Sequence, residues 1–232
     1  MLEVDMVKRR RDFTVAVSFT IASGDKLGLF GGSGEGKSTV LSCLAGIEQP
    51  DSGRVIFNDR ILHPPARPLR ERGIGYLTQR DQLFPHLTAG ENVLFSLSPR
   101  QRAQDHRWLE ELRERLDLGS FWNASASRLS GGQARRTALA RMIARKPGLI
   151  LLDEPFSGLD RHIVRELIQV LNEWQHNLGF TLVAVDHQAN ILKQMCPSAL
   201  VIERGQGVQR GSWEELERAP ATPLLASLLA PG

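Results

Sequence analysis

A glycine-rich stretch near the N-terminus constrains the fold of this 232-residue chain more than any other part of the sequence. It follows a short apolar run at residues 27–30 and leads into a second apolar segment at residues 40–45. The stretch consists of Gly31, Gly32, Ser33, Gly34, Glu35, Gly36, Lys37, Ser38 and Thr39. The spacing G-x-x-x-x-G-K-S between a buried strand and a helix is typical of a phosphate-binding loop. It predicts an α/β fold with a P-loop.

The residues of this stretch have the chemistry that phosphate binding requires. Glycines adopt positive φ angles and let backbone N–H groups approach an anion closely. Lys37 would reach the β- and γ-phosphates of a nucleoside triphosphate, and the Ser38 hydroxyl would ligate Mg²⁺. The alternative is a glycine-rich turn that holds no ligand. The complete pattern in its strand-to-helix context argues against that alternative.

Composition and charge are those of an ordinary globular protein. Hydrophobic residues make up 41% of the chain, the formal net charge is +3 and the pI is about 9.2. This mild basic excess is weak support for an anionic partner, and a nucleotide already supplies one. Cys43 and Cys196 lie far apart, with neither metal-ligand spacing nor a disulfide framework, which favours a reducing compartment.

Membrane and nucleic-acid signals are weak. No apolar run approaches the ~18–20 residues needed to cross a bilayer, and the N-terminus lacks the layout of a signal peptide. Membrane attachment would therefore come through a partner. A basic run occupies residues 8–11, from Lys8 to Arg11. We interpret it as a solvated strand end in preference to a nucleic-acid patch, so no nucleic-acid partner is expected.

Hydrophobic periodicity places the remaining elements. Strands are predicted at residues 13–21, 27–30, 74–78, 149–152 and 181–185, and hairpins at residues 53–62 and 200–208. A helix with Trp108, Leu109, Leu112 and Leu116 on one face lies in a block without strand signals. A second helical stripe would cover the sheet, and it consists of Ile163, Leu167, Val170, Leu171, Trp174 and Leu178. A short acidic helix is expected around Glu214, Glu215 and Glu217.

These elements predict a P-loop NTPase core with a mostly parallel sheet, an N-terminal antiparallel β subdomain and an inserted helical lobe. The chain would be a single domain over residues 1–232. Its α/β body would comprise residues 1–79 and 146–218, the lobe residues 80–145, and a loosely packed tail residues 219–232.

Four polar residues follow predicted strands, where catalytic groups of an open α/β sheet lie. Asp153 ends a buried strand and could hold Mg²⁺, and Glu154 after it could polarise an attacking water. Gln79 and His187 each follow a strand of their own and could contact the γ-phosphate. Taken alone, an acid in this place can cap a helix, and a lone histidine is more often structural.

A second glycine-containing segment, Leu129-Ser130-Gly131-Gly132-Gln133, precedes another helical pattern. Ser130 can cap that helix, and Gly131 and Gly132 expose backbone N–H groups at its start. Because the chain already has one triphosphate loop, a second phosphate-binding segment suggests a nucleotide shared between two copies.

With this segment the sequence resembles the ATP-binding cassette (ABC) family, whose signature is L-S-G-G-Q. The resemblance extends from about residue 2 to about residue 216. It includes the phosphate loop, Gln79, the signature, Asp153-Glu154-Pro155, Ser157-Gly158-Leu159-Asp160 and His187, in the order of the family. It implies ATP and Mg²⁺ as ligands and a head-to-tail homodimer. Each ATP would lie between residues 31–39 of one copy and Ser130, Gly131, Gly132 and Gln133 of the other.

The resemblance also implies individual roles. Glu154 would be the general base or water-orienting residue, and His187 would contact the γ-phosphate. Asp160 would carry communication across the dimer. Gln79 would join Ser38 and Asp153 at the metal and couple the site to a membrane partner. Phe13 would stack on adenine, although a role as a strand core residue is nearly as well supported.

Some residues depart from the family pattern. Glu35 replaces a small or neutral residue and brings a negative charge near the phosphates, which should weaken binding unless it points to solvent. Asp186 precedes His187 where serine or threonine is commoner, and Thr78 precedes Gln79 where an aromatic is frequent. None of these changes removes a residue needed for hydrolysis, so ATPase activity is expected.

Residues 79–88 look like the coupling region of bacterial solute importers. The expected partners are an integral membrane permease and, indirectly, a substrate-binding protein, at the cytoplasmic face of the plasma membrane. The strands resemble those of molybdate-type importers, and the chain length resembles thiamine-type importers, so the expected solute is a molybdate-like oxyanion or thiamine. An exporter subunit, or a soluble ABC ATPase acting on nucleic acid or ribosomes, is the alternative.

Overall fold

The computed structural model describes residues 1–79 and 82–230. The strands are β1 (Leu2–Arg9), β2 (Thr14–Ile21), β3 (Lys26–Phe30), β4 (Ser52–Phe57), β5 (Arg60–His63), β6 (Ile74–Leu77), β7 (Leu149–Asp153), β8 (Thr181–Val185), β9 (Ser198–Glu203) and β10 (Gln206–Ser212). The α-helices are α1 (Lys37–Ala45), α2 (Ala89–Leu94), α3 (Pro99–Gln104), α4 (His106–Arg115), α5 (Gly131–Ile143), α6 (Arg161–Leu178), α7 (Ala189–Met195), α8 (Trp213–Arg218) and α9 (Pro223–Leu229). Among these described helices, none combines the length and the apolarity needed to cross a bilayer.

All ten strands form one sheet in the order β5-β4-β1-β2-β10-β9-β3-β8-β7-β6. The half from β9 to β6 is parallel, and its central strands β7 and β8 are buried along their whole length. A parallel strand covered on both faces needs continuous apolar sequence, and this explains the runs at residues 149–152 and 181–185. The carboxyl ends of β3, β6, β7 and β8 share one edge, where the functional loops begin.

The other half of the sheet is antiparallel. Strand β1 pairs with β2 and β4, and the β4–β5 hairpin turns at Asn58 and Asp59, whose φ angles are 47° and 61°. The hairpin matches the prediction. Strand β1 was not predicted, although its alternating Leu2, Val4 and Met6 are buried as the period of a strand requires. Strand β10 pairs antiparallel with β9, and a single parallel residue pair, Gln206 with Ala16, joins β10 to β2, so this pair connects strands β5-β4-β1-β2 to the rest of the sheet.

The basic run at the end of β1 is engaged in local ion pairs. Lys8 Nζ lies 3.0 Å from Asp51 Oδ1, and Arg10 Nη2 lies 2.7 Å from Glu48 Oε1. Arg10 Nη2 also donates a hydrogen bond of 3.0 Å to the Thr39 hydroxyl. These contacts favour the structural interpretation of the run over a nucleic-acid patch.

In the described part of the segment between β6 and β7, the named elements are the helices α2 to α5 and short 3-10 turns, joined by irregular stretches and without a named strand. Helix α4 buries Trp108, Leu109 and Leu112, as its periodicity predicts. Together with the sheet, these helices confirm the predicted fold class. The exact division of the chain stays a prediction, and the first residues assigned to the lobe, Arg80 and Asp81, lie outside the described residues.

Two parts of the predicted packing are wrong. In α6 the buried stripe includes Val164 and Ile168, whereas Ile163 is half-buried and Leu178 is exposed, because the face that packs on the sheet is rotated from the predicted one. The tail after residue 219 is not loosely packed over its described part. Thr222 caps α9, and Leu225 is 1% exposed within the hydrophobic core.

The core has two clusters that alternate along the central strands. Ile150 and Leu152 belong to the cluster that contains the lobe helices and α6, and Leu149 and Leu151 belong to the cluster under β1, β2 and α1. Since successive side chains of a strand face opposite sides, the two clusters cover the two faces of the sheet. The sheet is therefore held on both faces, and its edge is free to carry the site.

Candidate nucleotide-binding site

A cavity of about 600 Å³ opens at the carboxyl edge of the parallel strands. Its walls combine the glycine-rich loop with residues from four other segments. They are Phe13, Ser33, Gly34, Glu35, Gly36, Lys37, Ser38, Thr39, Gln79, Glu154, Val185 and His187. The structure thus brings together side chains that the sequence places at separate strand ends.

Lys37 begins α1 and is 7% exposed. Its ammonium group donates hydrogen bonds to the carbonyls of Gly31, at 3.0 Å, and Gly32, at 2.5 Å. Burial lowers the pKa of Lys37, and nearby carboxylates led by Glu154 oppose that shift. The backbone around the lysine requires glycine. At Gly36, φ is 97° and an added Cβ would lie 2.6 Å from the Val15 side chain.

Ser38 and Asp153 form the candidate metal site. The Ser38 hydroxyl donates a 3.0 Å hydrogen bond to Asp153 Oδ1, and the Tyr76 hydroxyl donates one of 3.4 Å to Asp153 Oδ2. Burial raises the pKa of Asp153, which is 6% exposed, and raises that of Tyr76 to about 12. A carboxylate and a hydroxyl side by side are hard oxygen donors and suit Mg²⁺ that also binds substrate phosphates. The residues fit the predicted ion.

Glu154, Gln79 and His187 meet at the far wall of the cavity. Gln79 Nε2 donates a 3.1 Å hydrogen bond to Glu154 Oε2, and His187 Nδ1 lies 4.0 Å from the same oxygen. Asp186 is buried, and burial raises its pKa. Its Oδ1 lies 3.7 Å from His187 Nδ1.

The Glu154 backbone is left-handed, with φ at 48°, and its N–H donates to the Val185 carbonyl at 2.9 Å. Such a conformation is strained for a non-glycine residue and aims its carboxylate into the cavity.

Phe13 and Glu35, two residues predicted to contact the nucleotide, line the cavity and also contact other parts of the protein. Phe13 lines the cavity and also packs against the cluster under β1, β2 and α1, so it has contacts that suit either predicted role. Glu35 Oε2 accepts a hydrogen bond from the backbone N–H of Arg204 in the β9–β10 turn. This contact anchors the carboxylate at the rim, yet Glu35 still raises the pKa of Lys37.

The signature segment lies elsewhere. Ser130 is the N-cap of α5, as predicted. Its hydroxyl accepts from the Gln133 N–H at 3.3 Å, and its own N–H donates to Gln133 Oε1 at 3.0 Å. Ser130 and Gly131 are exposed, and an added Cβ at Gly132 would lie 3.6 Å from Leu159 Cδ2.

Of the described residues that line the nucleotide cavity, none belongs to residues 129–133. Asp160 stands at the N-cap position of α6, without a capping hydrogen bond from its side chain, and it too is outside the cavity lining. Within one chain the structure therefore does not bring Ser130 or Asp160 to Lys37. Their roles toward the nucleotide stay predictions.

Two residues of the site have no motif to identify them. Tyr76 contacts Asp153, and its position on β6, the strand that precedes Gln79, was the available signal. Arg135, five residues after Ser130, is 4% exposed and reaches the loops that carry Gln79 and Glu154. An arginine on the otherwise small and apolar face of α5 was a visible but ambiguous signal.

Comparison with known proteins agrees with this geometry. Residues 15–157 match the family described as "ABC transporter". A "Probable sulfate/thiosulfate import ATP-binding protein CysA" from Chlorella vulgaris is 37% identical over 92% of this chain and 90% of the relative. The "Sulfate/thiosulfate import ATP-binding protein CysA" of Synechococcus elongatus is 37% identical over 93% of this chain and 62% of the relative. A "Glucose import ATP-binding protein GlcV" from Saccharolobus solfataricus is 35% identical over 92% and 62%. The chain thus spans less than two thirds of the length of the last two relatives.

Solved structures give the same result for the fold. The "Dimeric Structure of MJ0796, a Bacterial ABC Transporter Cassette" superposes with a TM-score of 0.80 at 26% identity, over 91% of this chain and 98% of that one. The structure of cbiO1 from Clostridium perfringens, "Part of the ABC transporter complex cbiONQ", gives 0.78 at 26% identity over 93% and 89%. With the family match, the relatives and the loop, strand-end and signature geometry in agreement, the chain belongs to the ABC transporter family as an ATP-binding ATPase domain.

Proposed function

We propose that this chain is the ATP-hydrolysing subunit of an importer and works as a head-to-tail dimer. The observation that carries the proposal is the separation of two phosphate-binding segments on one chain, of which one lines the cavity and the other is exposed. Two copies related by a two-fold axis could place Ser130 of each opposite Lys37 of the other. The dimeric cassette MJ0796 and the import proteins among the relatives support both parts of the proposal.

The chemistry would come from the residues of the far wall. Lys37 would exchange the carbonyls of Gly31 and Gly32 for phosphate oxygens. Mg²⁺ held by Ser38 and Asp153 would neutralise charge on the phosphates. Glu154 would orient the attacking water and accept its proton, while Gln79 holds the carboxylate in place and His187 contacts the γ-phosphate.

The test is Glu154→Gln. The substitution removes the proton acceptor and keeps the shape of the side chain, so we expect the ATPase rate to fall by ~10²–10⁴-fold, the range that general base catalysis contributes. ATP affinity and ATP-dependent dimerisation should persist. Steady-state phosphate release and size-exclusion chromatography with ATP measure the two quantities.

Glu166→Gln is the matched control, because Glu166 is an exposed acid on α6 that pairs with His162. It should leave the rate unchanged. A Glu154→Gln protein that hydrolyses ATP at a near wild-type rate would remove Glu154 from the mechanism.

The transported solute is a separate proposal. A molybdate-like oxyanion or thiamine was expected from the sequence, and that expectation is wrong, since the relatives described above are named for the import of sulfate/thiosulfate and, in one case, of glucose. We propose that the complete transporter imports sulfate or thiosulfate. Uptake of labelled sulfate by cells that lack this chain should drop and should return with the wild-type chain. Uptake that does not change on deletion contradicts the assignment.

We also propose that a membrane permease binds the lobe beside the nucleotide site, which would hold the chain at the cytoplasmic face of the plasma membrane and link it indirectly to a substrate-binding protein. A surface cavity of about 450 Å³ lies there, lined in part by Tyr76, Phe84 and Phe95. The rings of Phe84 and Phe95 are 4.3 Å apart, and Phe95 is 57% exposed. Arg141 lies over the Phe84 ring at 5.4 Å. An exposed aromatic pair within a concave surface suits an inserted helix of a partner.

Substituting a charge at this surface tests the permease proposal. Phe95→Asp should abolish assembly with the permease in a pull-down from membranes and leave basal ATPase unchanged. Phe84→Asp distinguishes docking from anchoring, because Phe84 is half-buried and its loss unfolds the lobe if it is mainly an anchor. Ile47→Asp, at a residue that is 59% exposed and outside this cavity, is the control. Normal assembly of the Phe95 variant places the docking surface elsewhere.

A further inference from the structure

Arg135 is a buried cation, and the hydrogen bonds described for it are donated to backbone carbonyls at the ends of two strands. It lies in the first half of α5 and is 4% exposed. Its Nη1 donates to the Thr78 carbonyl at 2.7 Å, and its Nη2 donates to the Glu154 carbonyl at 2.6 Å and to the Asp153 carbonyl at 3.4 Å. Its Nε donates to the Pro155 carbonyl.

These acceptors belong to the two loops that carry the catalytic side chains. Thr78 immediately precedes Gln79, and the other three carbonyls run from Asp153 through Glu154 to Pro155. One planar guanidinium therefore joins the end of β6 to the end of β7. The planar fork of an arginine fixes its acceptors in direction as well as distance, which a lysine ammonium does not.

Both backbone polar groups of Glu154 are hydrogen-bonded. Its N–H donates to the Val185 carbonyl, and its carbonyl accepts from Arg135. The residue has φ at 48°, a conformation that persists where the surroundings over-determine it. Releasing the carbonyl would let the backbone relax toward negative φ and would move the carboxylate away from its contact with Gln79.

We infer that Arg135 is a positioning residue for hydrolysis: it fixes Glu154 and Gln79 in the geometry that activates water. The inference rests on the proposed ATPase mechanism. Because Ser130 lies five residues earlier at the start of the same helix, Arg135 also ties that geometry to the segment that meets the partner's nucleotide.

The test uses Arg135→Ala and Arg135→Lys in the full chain. A misplacement of about 1 Å at a catalytic group can cost ~10²-fold in rate, so we expect kcat to fall by ~10–100-fold for Arg135→Ala. The KM for ATP and the Kd of a non-hydrolysable ATP analogue should stay within about threefold, because Arg135 is not among the residues that line the cavity. Arg135→Lys retains the charge without the fork and should be intermediate.

Arg136→Ala is the matched control. Arg136 is the next residue of α5 and pairs with Asp117 at 3.0 Å, outside the nucleotide cavity. Its kcat should equal that of the wild type, while thermal melting of all variants reports whether they are folded.

Each outcome decides the inference. An inactive wild-type protein contradicts the proposed ATPase function itself. An active wild type with an unaffected, folded Arg135→Ala variant overturns the positioning role alone. If Arg135→Ala does not fold, Arg135→Lys decides: reduced kcat with unchanged Kd supports the inference, and wild-type kcat or failure to fold assigns Arg135 a purely structural role.

Discussion

The two segments of this chain that are predicted to bind phosphate differ in charge, burial and hydrogen bonding. Residues 31–39 curve around a buried lysine, and acids from neighbouring strand ends surround it. Residues 129–133 contain no titratable group, and their serine is exposed and bonded within its own capping box. The first segment places a charged lysine inside a cavity, whereas the second presents a hydroxyl and backbone N–H groups on the exposed surface.

This difference is what the proposed dimer requires, in which each segment would supply one half of a binding site. A buried cation with nearby carboxylates can hold phosphates and an ion on its own. An uncharged helix start on the surface binds phosphate weakly in water, and it gains strength when a partner excludes the solvent. The comparison therefore predicts different losses when either half is removed, and recovery when intact halves are combined.

The largest effect is expected from disabling the two segments on separate chains. Lys37→Ala should raise the Kd for ATP by ~10–100-fold, since a charge-assisted hydrogen bond contributes roughly 1.5–3 kcal/mol. Ser130→Phe should leave ATP binding intact and abolish hydrolysis by blocking the partner's nucleotide. At an ATP concentration below the raised Kd both proteins should be nearly inactive, and mixing them in equal amounts should restore up to about a quarter of the wild-type ATPase rate, because half of the dimers keep one intact composite site.

Ser127→Phe, at an exposed serine that precedes the signature, controls for bulk and should remain active. A mixture of Lys37→Ala and Ser130→Phe proteins that stays inactive while both are folded would show that the two segments do not share a nucleotide.

A smaller effect is expected from removing the charge of Asp153, a buried acid beside the glycine-rich loop. Burial raises the pKa of Asp153, so its contribution to stability is complete below the pKa of the unfolded chain and is lost as the pH rises through the folded-state pKa. At pH 7, Asp153→Asn removes a disfavoured charge, and we expect a higher Tm for the nucleotide-free protein, by roughly 2–4 °C for each kcal/mol relieved. Mg²⁺-dependent ATPase activity should be lost.

The Tm difference should shrink toward pH 4, where protonated aspartate resembles asparagine. Calorimetry between pH 4 and pH 8 measures it. A lower Tm at pH 7 would mean that attraction to Lys37 outweighs the cost of burial.

The smallest effect concerns the acid within the loop itself. Glu35→Gln keeps an acceptor for the Arg204 N–H and removes a negative charge near the phosphates. At this partly exposed site the repulsion is screened, so we expect the Kd for ATP to fall by only ~2–5-fold, equivalent to about 0.5–1 kcal/mol. Asp59→Asn, in the exposed β4–β5 turn, should change nothing. Weaker ATP binding by the Glu35→Gln variant would show that the carboxylate is needed to shape the loop.

Much of the fold and site could be predicted because the sequence signals were local. The loop before α1 has a fixed spacing, and Gln79, Glu154 and His187 each follow an apolar strand, so the shared edge of a parallel sheet brings them together. The capping box of Ser130 and Gln133 was equally local.

The remainder depended on contacts between distant segments. Nothing near Arg135 in the sequence indicates that its acceptors lie at Thr78 and Glu154, which are 57 and 19 residues away. The burial of Leu225 likewise depends on which surface α9 meets. In α6 the helical period was clear, but the rotation of the helix was set by the sheet beneath it and not by the period itself.

Because a single residue pair joins β2 to β10, a bound nucleotide could stabilise the contact between these two strands. Phe13 stands before β2 on one side of this junction, and Lys37 follows β3 on the other, yet both line one cavity. A ligand whose base stacks on Phe13 and whose phosphates bind Lys37 would contact both sides of the β2–β10 junction. It would hold together two strands that share a single residue pair. Amide hydrogens of β2 and β10 should then exchange more slowly with solvent when ATP is bound, and the slowing should be greatest around Ala16 and Gln206.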